Sequence, residues 1–158
     1  MTRLFLSACF FLSLAAGQSV KPDPWSPFEF LLGDWTGDGT GAPGEGSGGF
    51  SFSADLDRKI LVRKNFAVYP DSRHDDLMIV YLDGGLRAIY FDSEGHVIRY
   101  GIAVKNGTLI FESEESGPGP QYRLTYASAA SGIKGKFEIR LPGEAAYRTY
   151  LDFTAHRK

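Results

Sequence analysis

Cysteine is nearly absent from this chain of 158 residues, with Cys9 the one thiol. That excludes a disulfide framework and a cysteine-ligated zinc site. No apolar run approaches the roughly 20 residues that a membrane-spanning helix needs. Histidine is scarce too, and residues 74, 96 and 156 are far apart in sequence. His74 stands beside Asp75 and Asp76, where a solvated polar loop is expected rather than a metal site. His96 follows Gly95 in a hairpin turn, and His156 lies two residues from the end. There is no Gly-x-Ser-x-Gly elbow and no phosphate-loop lysine among the glycines of 44–49, so neither a serine hydrolase nor a nucleotide-binding loop is indicated. Basic residues are scattered singly in a chain of net charge −2, which argues against nucleic acid or an anionic membrane as partner.

What is present begins with a leader-like segment. Arg3 precedes an apolar stretch from Leu4 to Leu14, and Ala15-Ala16-Gly17 supplies small residues before a cut at Gln18. This is the form of a secretory signal over residues 1–17, so an exported protein, periplasmic or extracellular, is expected. Leu6-Ser7-Ala8-Cys9 has the shape of a lipoprotein processing box, which makes lipid anchoring through Cys9 the lesser alternative. The apolar run continues past it in Phe10-Phe11-Leu12, where a processing site should follow the run. Cleavage would leave 16 basic and 19 acidic side chains and no cysteine. A domain of that size is then stabilised by its core alone, or by a ligand that completes the core.

Residues 18–26 carry two prolines, Pro22 and Pro24, among mostly polar residues and read as a flexible tether. Residues 27–32 suit one helical turn, with Ser26 as its cap and Pro27 at the first position. Strand signals follow from Trp35 onward. A low-order glycine-rich loop is expected over 40–49, overlapping a strand at 48–54, and a polar loop around Arg73-His74-Asp75. Further strands are expected at 59–69, 77–82, 87–91, 97–104, 108–114, 121–127, 133–141 and 149–156. Asp83-Gly84-Gly85, Asp92-Ser93-Glu94-Gly95 and above all Asn106-Gly107 carry hairpin chemistry. About ten strands joined by short links leave no room for crossover helices. The expectation is an all-β fold: a single antiparallel up-and-down β-barrel over 27–158, its edges removed by closure.

The segment Phe30-Leu31-Leu32-Gly33-Asp34-Trp35-Thr36-Gly37 resembles the opening of calycin barrels. Among these lipocalins, fatty-acid-binding proteins and especially nitrobindin-like proteins show a helical turn leading into a Gly-x-Trp-x-Gly strand. The resemblance implies a tryptophan that plugs one end and a lumen that holds a small molecule. Nitrobindin-like proteins hold haem through a histidine that opens the final strand. Aligned on Tyr150-Leu151-Asp152-Phe153-Thr154-Ala155, that position is Tyr150, so the haem the resemblance implies loses its usual ligand.

The functional expectation is an exported binding protein, monomer or homodimer, with a small apolar or amphipathic ligand in its lumen. No catalytic residue, metal ligand, nucleic-acid contact or membrane insertion of the mature chain is assigned. The candidate lining is Trp35, Arg63, Tyr90, Tyr100, Tyr122 and Tyr150, chosen for mixed aromatic and polar character. In 59–69 alternation puts Leu61, Arg63, Asn65 and Ala67 on one face. The outer wall is the commoner place for a strand arginine, while a lumenal Arg63 would pair with a carboxylate or another anion. The alternatives are a haem-binding or enzymatic barrel and a module that acts through its outer surface.

Overall fold

The structure, a computed structural model, describes residues 23–114 and 117–158. The leader, Cys9 and most of the tether expected from the sequence lie outside the described residues. A 3-10 helix, Ser26–Leu31, precedes ten antiparallel strands. These are β1 (Gly33–Gly41), β2 (Gly46–Asp55), β3 (Ile60–Tyr69), β4 (Ser72–Leu82), β5 (Leu86–Asp92), β6 (Val97–Lys105), β7 (Thr108–Ser113), β8 (Gln121–Ala129), β9 (Gly132–Arg140) and β10 (Arg148–Arg157). Each pairs with the next, and β10 returns to β1 to close an up-and-down barrel. Closure satisfies every edge that a ten-strand meander would otherwise expose. The Asn106-Gly107 hairpin forms as its residues dictate, with φ of 49° and 76° at the two positions, the left-handed pair of a type I′ turn.

One end of the barrel is shut by the helix. Phe28 and Leu31 are wholly buried and Trp25 is 5% exposed, so the packed unit reaches back into the prolines of the expected tether. Phe28 sits edge-on to Trp25 and to Phe111 of β7. Trp35 stacks on Phe50, its partner across β1 and β2, and its indole Nε1 donates to the Leu31 carbonyl at 2.8 Å. Arg58, in the β2–β3 turn, reaches Asp23 at 3.2 Å and Glu29 at 3.0 Å, tying that turn to the helix. Ser26 is not the cap. Trp25 holds the cap position without a side-chain bond, because the helix starts one residue earlier than expected.

Two expected loops are strand. The glycine-rich 40–49 contributes only a turn over 42–45, flanked by β1 and β2. Inward positions of these strands pair Gly33 with Phe52, Trp35 with Phe50, Gly37 with Gly48 and Gly39 with Gly46. A Cβ at Gly37 would lie 1.9 Å from the Thr154 carbonyl oxygen, and one at Gly48 2.3 Å from that of Phe66. The wall curves so tightly here that neighbouring backbone fills the side-chain positions, and glycine is what fits. Arg73-His74-Asp75 likewise belongs to β4, which begins five residues before the expected start.

Candidate functional site

The lumen is hollow toward the end away from the helix, with a cavity of about 460 Å³. Ten strands enclose more space than the eight whose side chains just fill a small barrel, and the glycine face of β1 and β2 adds none to fill it. Phe50, Leu124, Phe137 and Phe153 supply apolar lining, and one wall is polar.

Register builds that polar wall. Asn65 of β3 pairs with Asp76 of β4, which pairs with Asp92 of β5. One step deeper lie Arg63, Met78 and Tyr90. Arg63 therefore points into the barrel, with its side chain 7% exposed, and the outer-wall alternative is overturned. Its parity on β3 follows Leu61, which the core claims outright. Arg63 Nη2 stands 3.0 Å from each Asp76 oxygen, with hydrogen-bond geometry toward Oδ2. Asn65 Nδ2 donates to the same Oδ2 at 2.7 Å. Arg63 Nε meets no acceptor among the described residues, and Asp76 Oδ1 accepts no hydrogen bond.

Opposed carboxylates on one face repel, yet Asp76 and Asp92 are each compensated. Burial alone would raise the Asp76 carboxyl; the Arg63 guanidinium, His74 and Asn65 outweigh it and hold it below the usual range. Burial likewise opposes the charge on Asp92, and the His96 backbone and side chain, with Tyr90, reverse the balance. Asp92 accepts from the backbone N–H groups of Glu94 and His96, at 3.1 and 2.8 Å, and from the Tyr90 hydroxyl at 3.2 Å. Deeper in, burial raises the phenols of Tyr90 and Tyr100 and pushes Tyr126 up to about 12. All three interact electrostatically with Arg63. They are neutral donors and acceptors at physiological pH.

His74 sits above this group. Its Nε2 lies 3.0 Å from the Tyr90 hydroxyl and 3.3 Å from Asp76 Oδ2, and its Nδ1 lies 2.9 Å from Glu94 Oε2. The Asp76 bond, then that to Glu94, raises its pKa to about 9 against the cost of burial. A histidine pKa raised by folding contributes stability that is complete below the unfolded value of about 6.5 and is lost as pH climbs through about 9. We expect the His74 ring to remain protonated at pH 8 in an NMR titration, and Glu94→Gln to lower its midpoint. A midpoint near the unperturbed value in the parent chain would contradict the geometry.

Of the six residues expected to line the lumen, Arg63, Tyr90, Tyr100, Tyr122 and Tyr150 face the cavity, the first three gathered round one guanidinium. Tyr122 stacks on Phe137 at 5.8 Å. Trp35 lies below, in the plug. Tyr150 is at the rim, 38% exposed beside a bulge in β10, its ring edge-on to Phe137. It makes a poor axial ligand for haem. His74 lies at the mouth between Tyr90, Asp76 and Glu94, with acidic side chains on either side where a haem would need an open face, and His156 is exposed on β10. These donors do not fit a haem seat. The expectation missed Asp76, His74, Asn65 and Tyr126. Tyr126 shares the alternation of Tyr122 and Leu124, and Asn65 that of Arg63, so both were readable from it; Asp76 and His74 depend on cross-strand register.

No protein-family model matches the chain, and no curated protein matches it. The class is defined by architecture: a closed ten-strand antiparallel barrel, consistent with the calycin-like fold. Its interior has room for a small molecule with an apolar part.

Proposed function

We propose that this protein is an exported carrier or sensor that holds one small amphipathic molecule inside its barrel. The observation that carries the reading is a hollow, largely apolar lumen with one buried polar wall, where Arg63 Nε lacks an acceptor. Pockets that bind small molecules pair an apolar lining with a few convergent polar groups in this way. The apolar body of the ligand lies against Phe50, Leu124 and Phe153, and its polar end meets Arg63 and the tyrosine hydroxyls. The Gly33-x-Trp35-x-Gly37 opening supports a lipocalin- or nitrobindin-like relationship, and residues 1–17 support export. Among the described residues no helix is long and apolar enough to cross a membrane.

The test combines native mass spectrometry of protein recovered from its own compartment with titration of the fluorescent apolar anion 1-anilinonaphthalene-8-sulfonate. Ala67 lines the lumen, and Ala67→Trp fills it. The expected result is saturable binding to the parent chain, weakened about tenfold (1.4 kcal/mol) in the variant. Equal binding by both would place the probe on the outer wall. That result would favour the second reading, a docking face around Phe91 and Val97, which pair across β5 and β6 and are both exposed.

A further inference from the structure

At the mouth of the barrel the polar wall of the lumen continues into a group of side chains around His74. Three carboxylates, Asp76, Asp92 and Glu94, meet two cationic side chains, Arg63 and His74. Donor atoms of His74, Asp92 and Glu94 all lie within 4.8 Å of one another. His96 adds an imidazole whose Nδ1 is 2.8 Å from Asp92 Oδ2.

Three features separate this group from an ordinary acidic turn. It contains two imidazoles, the donors that first-row transition ions favour. Its backbone is fixed: Asp92 binds the N–H groups of residues 94 and 96, while the Ser93 N–H donates to the Asp75 carbonyl at 2.9 Å and the Asp75 N–H to Ser93 Oγ at 3.3 Å. Behind His74 stands Asp76, its side chain 2% exposed and its Oδ2 3.3 Å from His74 Nε2. A carboxylate at one ring nitrogen fixes the tautomer and directs the other nitrogen toward a metal, a recurring outer-sphere arrangement. Here Asp76 faces Nε2 at 3.3 Å and leaves Nδ1 toward Glu94 at 2.9 Å. Tyr90 performs the same service for Asp92.

We propose that His74 Nδ1, Asp92, Glu94 and His96 bind a divalent transition metal of the zinc class at the barrel mouth. Zinc bonds of about 2.0–2.2 Å would draw the donors of His74, Asp92 and Glu94 inward from the 4.8 Å within which they lie, with His96 joining from its place beside Asp92. All four residues border the lumenal cavity, so a bound ion would face its entrance.

The test is calorimetric titration of the full chain with Zn²⁺, alongside Glu94→Gln, His74→Gln and the double variant His74→Gln/Glu94→Gln. Co²⁺ serves as an absorbing substitute that reports ligand geometry. Glu94 is exposed, so Glu94→Gln keeps the fold, which circular dichroism verifies for each variant. One Zn²⁺ per chain is expected, with a tetrahedral or five-coordinate Co²⁺ spectrum. Each single substitution is expected to weaken binding by about 10–100-fold. Absence of Zn²⁺ binding by the parent chain would overturn the proposal. Undiminished binding by the double variant would overturn it as well, because the ion would then sit elsewhere. Neither outcome bears on the lumenal ligand, which the probe titration tests separately.

Discussion

Arg63→Ala is expected to destabilise the protein by about 3–5 kcal/mol, because it strands a buried carboxylate. Asp76 would keep Asn65 and His74 but lose the guanidinium that most opposes its desolvation. The energy lies in the broken pairing rather than in the intact ion pair, whose attraction is largely offset by the desolvation of both partners. Arg63→Met combined with Asp76→Leu removes both charges at similar volume and is expected to recover most of the loss. Urea unfolding of the parent, the single and the double variant decides it. A single variant within about 1 kcal/mol of the parent would mean that water reaches the pair and that the wall is not dry. Low pH tests the same carboxyl. Asp76 has a folded pKa below its unfolded value, so its contribution is present above about pH 4 and is lost as pH falls through the folded value.

Phe28→Ala is expected to cost a similar amount, about 3–5 kcal/mol, although Phe28 lies outside the sheet on a helix of six residues. So short a helix has little stability of its own, and it holds its place because Trp25, Phe28 and Leu31 are buried against the barrel end. Truncating Phe28 opens a void between Trp25 and Phe111 that the rigid strand ends cannot close. Phe66→Ala on the outer wall, where the ring is 41% exposed, is the matched control, with an expected loss within about 0.5 kcal/mol. Equal losses at the two positions would show that the helix is not a plug.

The barrel was readable because its strands repeat with period two and its turns carry Asn-Gly, Asp-Gly and Gly-Gly signals. The plug was readable from Gly33-x-Trp35-x-Gly37 after an apolar turn. Where glycine occupies the inward positions, from Gly37 to Gly41 and from Gly46 to Gly48, alternation carries no hydrophobic contrast, and a strand pair looked like a loop. The charged start of β4 misled for the opposite reason. Arg73, His74 and Asp75 are polar on both faces, and their strand state comes from pairing with β3 and, at Asp75, from a bond with Ser93 just past β5, which no local pattern reports. The lumenal site needed both kinds of missing information. Alternation put Arg63 with Leu61 but did not say which face was inside. The meeting of Asp76, Asp92 and His74 is a product of register between strands that are separated in sequence.

The bare glycine wall also shapes the behaviour of the empty barrel. Gly37 faces Gly48, and Gly39 faces Gly46, so this half of the β1–β2 ladder has backbone hydrogen bonds and no side-chain pairs on its inner surface. Glycine also loses the most conformational freedom on ordering, so the two strands are costly to hold and sparsely supported. Any molecule that enters the lumen presses on this surface and supplies the dispersion contacts that the chain itself omits. Under the function proposed above, loading would thus also stiffen the β1–β2 ladder, with the guest lying against bare backbone.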